Sequence, residues 1–155
     1  MVTRLSCLCL AFLGLLLLSG CANGTDLNCV SVNVISVGPA KGGSLASIPV
    51  KVRYVNENVV AVGASDTYHK LYLDGEYVGK CHSRNPVGMQ AEGEISQDLV
   101  FTIEKPDYVR QLAMSGKLVN YRLETRLDVY VDTEHLEVKA TGSGTVNLTS
   151  LLAGK

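Results

Sequence analysis

The side chains of this chain that are best able to do chemistry are its thiols. Five cysteines are present. Two of them lie inside an apolar N-terminal run, residues 5–18, and Cys21 follows the small residues that close this run. Cys29 and Cys81 belong to the more polar sequence beyond it. A cysteine at the end of such a run is a candidate acyl acceptor, whereas a pair in an oxidising compartment can form a disulfide.

The segment that leads to Cys21 has the features of a secretory signal. Arg4 precedes the apolar run, and small residues follow the run. The run is shorter than the roughly 20 apolar residues that a spanning helix needs. We therefore predict that residues 1–20 are a signal peptide that is removed, and that they do not form a transmembrane helix.

The sequence Leu18-Ser19-Gly20-Cys21 resembles the bacterial lipobox. The resemblance implies that a diacylglycerol is attached to the Cys21 thiol, that the chain is cleaved before this residue, and that the freed amine is acylated. Two or three acyl chains hold a protein firmly at a membrane, because each buried CH₂ group contributes about 0.8 kcal/mol. The alternative is an ordinary signal peptide followed by a cysteine that carries no lipid.

The residues after Cys21 bear on the location of the protein. In bacteria with two membranes, an Asp directly after the acylated cysteine resembles an inner-membrane retention signal, but Ala22 stands at this position. We therefore expect the periplasmic face of the outer membrane in such a host, and the outer face of the membrane in a host with only one. Residues 21–28 form a lipidated tether that reaches roughly 25 Å when extended, so the folded part is expected close to the bilayer.

Cys29 and Cys81 leave two interpretations open. As a disulfide they would close a long loop and stabilise the fold by roughly 4 kcal/mol. Alternatively, they are small buried side chains that never meet. Neither cysteine has companion residues at the spacing of a zinc site.

Beyond the tether, apolar and polar residues alternate, which is typical of half-buried β-strands. Gly142 and Gly144 in the last alternating segment indicate either a bulge or a close approach of another element. Pro49 favours the edge or the start of a strand. The alternation recurs over residues 30–34, 48–54, 95–103, 118–133 and 136–148.

Two local signals complete the predicted architecture. Asp74-Gly75 between alternating arms predicts a type I′ hairpin turn, and Pro106 predicts the start of a short helix over 106–115. We predict an all-β domain over residues 29–148, an immunoglobulin- or fibronectin III-like antiparallel β-sandwich of about seven strands with this one helix. Residues 83–93 are predicted to be a loop, and residues 149–155 to be a frayed C-terminal tail.

The remaining side chains show no catalytic pattern. His69, His82 and His135, predicted in a strand, a loop and a strand edge, lack a serine or carboxylate at a recognisable motif spacing. No glycine-rich phosphate loop is present, and a formal net charge of −1 gives no electrostatic footprint for nucleic acid. We therefore predict a protein that is not an enzyme and has no cofactor, metal, small-molecule substrate or nucleic-acid partner.

Two surface features leave alternatives open. An acidic cluster near the last hairpin could hold calcium weakly, although a solvated turn is favoured. Tyr68 and Tyr72 face away from Leu71 and Leu73; they could form a binding surface if exposed, or else complete a core or cover an edge. The acidic residues are Asp128, Asp132, Glu134 and Glu137.

The order of these features over residues 29–148 resembles the LEA type 2 family, also called the water stress and hypersensitive response domain. The strand that ends near Tyr54 runs into Asn56-Glu57-Asn58, where the family shows Asn-Pro-Asn, and the hairpin and the proline-led helix follow in turn. Glu57 departs from the family pattern, so a turn of different shape is expected there. The resemblance implies a fibronectin III-like sandwich, a stress-associated role and no catalytic residues.

Two classes of function follow from these expectations. The first is a protective protein, anchored through Cys21, that shields weakly bound protein clients or lipid during desiccation, freezing or envelope stress. The second is an adaptor that docks one specific envelope protein through an exposed face of the sandwich. A uniformly polar surface would favour the first class, and an exposed apolar or tyrosine patch would favour the second.

Overall fold

A computed structural model describes residues 29–40, 44–131 and 134–153. The predicted signal peptide, Cys21 and the rest of the tether before Cys29 lie outside these residues. Within the described ranges, no helix has the length and the apolar character needed to cross a membrane.

The described chain consists of eight antiparallel strands and one α-helix, which confirms the prediction of an all-β fold. The helix α1 (Pro106–Met114) connects the sixth strand to the seventh, and a short 3₁₀ helix (Thr149–Leu152) follows the last strand. The strands are β1 (Val30–Val37), β2 (Ser47–Asn56), β3 (Val62–Leu73), β4 (Glu76–Ser83), β5 (Val87–Met89), β6 (Gly93–Ile103), β7 (Leu118–Val131) and β8 (Glu134–Asn147).

The strands form two layers that close on each other. They pair in the order β1-β2-β6-β4-β3-β7-β8, and the short β5 pairs with β3 beside this path. Strands β4 and β6 share only two residue pairs, Gly79 with Ile103 and Lys80 with Thr102. This short seam joins the β1-β2-β6 layer to the β4-β3-β7-β8 layer. Because β1 also lies against β8, the sheet nearly closes into a barrel-like sandwich.

A glycine lies at each of the two seams. A Cβ atom on Gly142 of β8 would fall far inside van der Waals distance of the Val32 carbonyl oxygen of β1. A Cβ atom on Gly79 of β4 would likewise collide with the Thr102 carbonyl oxygen of β6. The closure of the sandwich therefore depends on two positions where the backbones approach more closely than any side chain allows.

The β1–β8 seam also explains Gly144. The Tyr121 ring of β7 packs over Gly144, where a Cβ atom would lie 3.0 Å from the ring. The Tyr121 hydroxyl then accepts a hydrogen bond from the Val34 backbone N–H of β1, at 3.2 Å. Since the pairing of β7 with β8 runs without a register shift, the glycines mark a close approach and not a bulge.

The core lies between the two layers and follows the predicted alternation. On β2, the side chains of Ile48, Val50, Val52 and Tyr54 are all buried. Pro49 lies near the start of β2, as expected, but β2 is an internal strand between β1 and β6 and not an edge. The same inward alternation continues on β7 with Tyr121, Leu123, Leu127 and Val129.

The two predicted local signals are confirmed. Asp74 and Gly75 have φ angles of 46° and 84°, as a type I′ turn requires, and the Asp74 carboxylate accepts hydrogen bonds from Asn120 of the neighbouring β7. Helix α1 begins at Pro106 and buries Val109 and Ala113 against the open end of the sandwich. Its cap is followed by a glycine with positive φ, Gly116.

Three local predictions were wrong. The segment from Ser83 to Gly93, expected to be a loop, contains the three-residue strand β5, which pairs with the start of β3. His82, which was expected in a loop, belongs to β4. The expected frayed tail instead forms the 3₁₀ helix Thr149–Leu152, because the Leu151 side chain is buried in the core and the Ser150 hydroxyl donates to the Val37 carbonyl.

The Asn-Glu-Asn sequence forms a buried polar anchor at one end of the sandwich. The Asn56 side chain is fully buried, and its amide nitrogen donates to the carbonyls of Val60 and Gln90 at 2.8 and 2.9 Å. Its amide oxygen accepts from the backbone N–H and the side chain of Asn58. One side chain thereby ties the β2–β3 connection to the residues that follow β5.

The residue that departs from the family pattern also has a structural role. The Glu57 backbone N–H donates to the Cys29 carbonyl at 2.8 Å. A proline at this position has no N–H and would lose this bond. Glu57 therefore continues the pairing of β1 with β2 by one further hydrogen bond, at the point where the described chain begins.

We expect Gly142→Ala to lower the free energy of unfolding by at least about 3 kcal/mol, because the new methyl group must displace backbone and not a flexible side chain. Gly88→Ala is the matched control, since a Cβ atom at Gly88 meets no heavy atom within 4 Å. Urea unfolding followed by circular dichroism measures both. A Gly142→Ala variant as stable as the Gly88→Ala variant would contradict the close approach of β1 and β8.

Candidate functional site: a charged tyrosine face and a buried histidine

The outer face of the β4-β3-β7-β8 layer carries rows of histidine, tyrosine, lysine, arginine and glutamate side chains. Alternate residues of these strands point away from the core, and the register aligns them in rows across the layer. We call this surface the tyrosine face. Its three rows are His82–Tyr68–Arg126–Lys139, Lys80–Lys70–Glu124–Thr141 and Tyr77–Tyr72–Arg122–Ser143.

In the first row, flat side chains stack side by side. The His82 ring lies 4.2 Å from the Tyr68 ring, with 11° between the two planes. The Arg126 guanidinium lies 4.0 Å from the centre of the same ring. Tyr68 is therefore covered by a polar or charged group on each side, and this contact stabilises the Arg126 charge by a cation–π interaction.

The third row repeats this arrangement around Tyr72. The Arg122 guanidinium lies 3.9 Å from the centre of the Tyr72 ring, and the Tyr77 ring meets it edge-on at 5.6 Å. The Tyr72 hydroxyl donates to the Glu124 carboxylate at 3.1 Å, and this carboxylate also pairs with Arg122. Burial and the bond to Glu124 raise the pKa of the Tyr72 hydroxyl, with burial the larger cause.

The two tyrosines that were expected to form either a binding surface or a cover for an edge lie half-buried in a network of charges. Neither forms an exposed apolar patch. The exposed large apolar side chains of the described residues lie on several different elements. They are Ile35, Val59, Val60, Ile95, Val100, Met114, Leu118, Tyr130 and Leu152.

A groove of about 820 Å³ opens over the first two rows of the tyrosine face. Its charged lining is predominantly basic. The cations are Lys70, Lys80, Arg126 and Lys139, and the anions are Glu124 and Glu137. This volume lies within the usual range for sites that hold small molecules, roughly 300–1,000 Å³.

Ion pairs surround the rim of the groove. His82 Nε2 lies 2.8 Å from the Asp66 carboxylate, and this bond is the main reason that the pKa of Asp66 is lowered. Arg126 lies 3.6 Å from both Asp128 and Glu137. Lys80 pairs with Glu104 at 3.2 Å.

The acidic cluster considered for calcium is divided between different partners. Asp128 and Glu137 both face Arg126, and Glu137 also pairs with Lys139. Asp132 and the side chain of Glu134 lie outside the described residues. Among the described residues, no three His, Cys, Asp or Glu side chains converge on a point that could hold a metal ion.

His69 differs from the other two histidines because it lies inside the core, with only 1% of its surface exposed. Its Nδ1 lies 2.9 Å from the Thr125 hydroxyl, and its Nε2 lies 3.0 Å from the Thr67 hydroxyl and 3.1 Å from the Tyr54 hydroxyl. Sequence reasoning missed this cluster, although His69 lies two residues before Leu71 and therefore faces the same, inward side of β3. Its partners come from three strands, β2, β3 and β7.

Burial keeps this cluster uncharged at neutral pH. Desolvation lowers the pKa of His69 to about 4 and raises the pKa of Tyr54 to about 12. Each hydrogen-bonding group has a partner, and the Tyr54 hydroxyl lies within reach of the Gln97 side chain at 3.4 Å. The geometry is that of a satisfied polar group in a core, which anchors β2, β3 and β7 to one another.

Cys81 is a buried free thiol, so the structure does not contain the Cys29–Cys81 disulfide that was one of the two alternatives. The strand register gives the reason. The Cys29 carbonyl bonds to Glu57, whereas Cys81 contacts Val100, which pairs with Pro49. Pro49 lies near the start of β2 and Glu57 directly follows its end, eight residues further along the chain. In an extended strand this separation is roughly 26 Å, so Cys29 and Cys81 lie toward opposite ends of β2. Burial raises the pKa of the Cys81 thiol, which disfavours the reactive thiolate.

No family model and no curated protein matches the chain. Among solved structures, the chain is similar to the protein AT1g01470 from Arabidopsis thaliana, with 14% identity, a TM-score of 0.55 and coverage of 75% of this chain and 80% of that chain. It is also aligned with At2g46140.1, described as a candidate late embryogenesis abundant (LEA) protein, with 10% identity, a TM-score of 0.42 and coverage of 76% and 71%. The first similarity shows that the two proteins share a fold.

We expect the buried His69 to make stability depend on pH. Because its pKa is about 4 in the folded state and about 6.5 when unfolded, the unfolded state binds more protons between these values. The stability that neutral His69 contributes is therefore complete above pH 6.5 and is lost as the pH falls toward 4, by about 3 kcal/mol.

His69→Gln removes this titration and serves as the test, with His82→Gln on the surface as the matched control. Chemical denaturation at pH 7 and at pH 4 should show a smaller loss of stability on acidification for His69→Gln than for the wild type. An equal loss in the two proteins would mean that His69 is accessible to protons in the folded state.

Proposed function

We propose that this chain is a non-catalytic lipoprotein, anchored in the cell envelope through lipid on Cys21, whose LEA type 2-like domain protects other molecules during desiccation, freezing or envelope stress. Its clients would be bound weakly and by surface contact. The proposal assigns no cofactor, no small-molecule substrate and no nucleic-acid partner to this protective role. In a host with two membranes, the protein would lie at the periplasmic face of the outer membrane.

The observation that carries the proposal is the composition of the tyrosine face. Its aromatic rings are enclosed by Arg and His side chains, and its carboxylates are paired with Arg, Lys or His side chains. A surface of this kind interacts with many partners through water and weak charge contacts and does not offer one large apolar patch for a tight complex. A protective protein needs this behaviour, because it must contact different clients without capturing them.

The position of Cys29, the first described residue, supports the anchored arrangement. Cys29 lies beside Glu57 at the end of the sandwich where Asn56 is buried. A tether over residues 22–28 would reach roughly 25 Å at most. If Cys21 carries lipid, this end of the domain faces the bilayer and the helix α1 at the opposite end faces away from it.

The Asn-Glu-Asn anchor supports the assignment to LEA type 2. Asn56 and Asn58 match the two asparagines of the family pattern, and both are buried and bonded to each other in this fold. The sharing of a fold with the Arabidopsis protein is consistent with this assignment. The substitution of Glu57 for proline is accommodated by its bond to Cys29.

A second candidate function, the adaptor, is favoured by one specific observation. The groove of about 820 Å³ is a concave feature on an otherwise ion-paired face, and a protein partner could insert a side chain into it. An adaptor would bind one envelope protein with a defined stoichiometry. A protective protein would give no stable complex.

The protective role predicts that the mature chain, residues 21–155 with Cys21→Ser so that no lipid is added, preserves a labile enzyme through drying or freeze–thaw. Enzyme activity after rehydration is compared with that obtained with an equal mass of an inert protein. Recovery well above this control is expected. Recovery equal to the control, together with a single partner found by crosslinking in the envelope, would favour the adaptor.

The proposed lipid anchor predicts that the Cys21→Ser substitution moves the full-length protein from the membrane fraction to the soluble fraction, because the acyl chains are then absent. Cys81→Ser is the matched control, since Cys81 is buried, and that variant should remain with the membranes. Immunoblots of separated fractions measure both. A Cys21→Ser protein that still pellets with membranes would show that the lipid is not what holds it there.

A further inference from the structure

The second row of the tyrosine face contains an arrangement that the protective role does not require. Lys70 of β3 and Lys80 of β4 lie directly opposite each other in the strand register. Residues in this relation have Cβ atoms about 5 Å apart, and like charges placed there are destabilising. Both side chains line the groove.

The surrounding side chains neutralise this pair only in part. Lys80 pairs with Glu104, but within the described residues no carboxylate pairs with Lys70. Glu124, the neighbour of Lys70 on β7, is already engaged by Arg122 and by the Tyr72 hydroxyl. Among the described residues, the Lys70 charge is therefore left without an ion-pair partner.

The rest of the groove adds further positive charge. Arg126 and Lys139 contribute two more cations to the lining, and the Glu137 carboxylate is shared between them. The charged lining residues alone number four cations and two anions, and the carboxylates of Glu104 and Asp128 beyond the lining pair with Lys80 and Arg126. Three of the four lining cations therefore have a carboxylate partner, and Lys70 is the one that has none among the described residues.

The walls of the groove are built from stacked side chains on paired strands. Stacking holds the first row in place, because Arg126, Tyr68 and His82 pack face to face. The cations of the groove stand on four neighbouring strands, β4, β3, β7 and β8. A site whose charges stand on a paired sheet loses less entropy on binding than one on flexible loops.

We propose that this groove binds a phosphate-bearing ligand, with the phosphate oxygens between the ammonium groups of Lys70 and Lys80 and close to Arg126. Two adjacent ammonium groups match a dianion better than a monocarboxylate, because one phosphate can accept hydrogen bonds from both. The same chemistry is offered by a soluble phosphate compound and by a phosphorylated lipid headgroup. The proposal does not depend on the lipid anchor or on the protective role.

The test uses the mature chain with Cys21→Ser, titrated with inorganic pyrophosphate in low salt and followed by calorimetry. We expect saturable binding to the wild-type domain, and at least tenfold weaker binding to Lys70→Gln and to Lys80→Gln. Lys51→Gln is the matched control, since Lys51 is a half-exposed strand lysine in the other layer, away from the groove. No saturable binding, or equal weakening in the control, would overturn the proposal.

Lys70→Glu separates binding from folding. This change turns the opposed like charges of positions 70 and 80 into an ion pair but places the new carboxylate opposite Glu124. The two effects offset each other, so the melting temperature should stay about the same while pyrophosphate binding is lost. A variant that loses binding only because it unfolds would instead show a lower melting temperature, and the site would then have to be judged from Lys70→Gln. Retained binding by a folded Lys70→Glu protein would overturn the assignment.

A second arm identifies the source of the phosphate. The same unlipidated chain is sedimented with vesicles of phosphatidylcholine containing phosphatidic acid, and with vesicles of phosphatidylcholine alone. Binding that requires phosphatidic acid and is displaced by pyrophosphate supports a lipid headgroup, whereas pyrophosphate binding without vesicle binding supports a soluble ligand. Vesicle binding that Lys70→Gln leaves unchanged would place the lipid contact elsewhere and count against the groove.

Discussion

The fold depends on one geometric constraint, which is that a sheet with a single apolar face must close over that face. The chain meets this constraint through backbone contacts at Gly142 and Gly79, where β1 meets β8 and β4 meets β6. At both seams a carbonyl oxygen occupies the space that a side chain would need. All of the packing between the two layers, from Ile48 on β2 to Leu123 on β7, is possible only because these seams are narrow.

Two polar groups inside the closed sandwich fix its parts relative to one another. Asn56 joins two connections at the end where the described chain begins, and His69 joins three strands in the middle. Each would be costly to bury alone, and each is stable because its hydrogen-bonding groups have partners. Apolar packing alone would tolerate sliding of the layers, whereas these bonds are satisfied in one register only.

The sequence could predict what depends on neighbouring residues. The alternation of β2 and β7, the turn at Asp74-Gly75 and the start of α1 at Pro106 all follow from local preferences, and the structure confirms them. Features that depend on distant partners were missed or left open. The polar cluster of His69 requires Tyr54 and Thr125. The three-residue strand β5 depends on its pairing with residues of β3 that lie more than 20 residues away in the sequence.

In the candidate site, too, the features set by neighbouring residues could be predicted and those that depend on distant partners could not. The sequence placed Tyr68 and Tyr72 on the opposite face from Leu71, which is correct, but it could not show that Arg side chains of β7 cover both rings. It also could not show that Lys70 opposes Lys80, because that requires the register of the hairpin, including the shift between Leu71 and Tyr72. The proposed lipid anchor at Cys21 rests on the sequence alone, since that residue lies outside the described ranges.

The contact between β1 and β8 has a consequence for how copies of this protein behave when they are crowded. The outermost strand of an open sheet presents unpaired N–H and C=O groups on which another chain can add, and repeated addition leads to cross-β stacks. Here the first and last strands of the order lie against each other, and the Val32 carbonyl faces Gly142. Molecules of this fold concentrated at a surface, or by loss of water, therefore offer one another less strand edge for addition at this seam than an open sheet would.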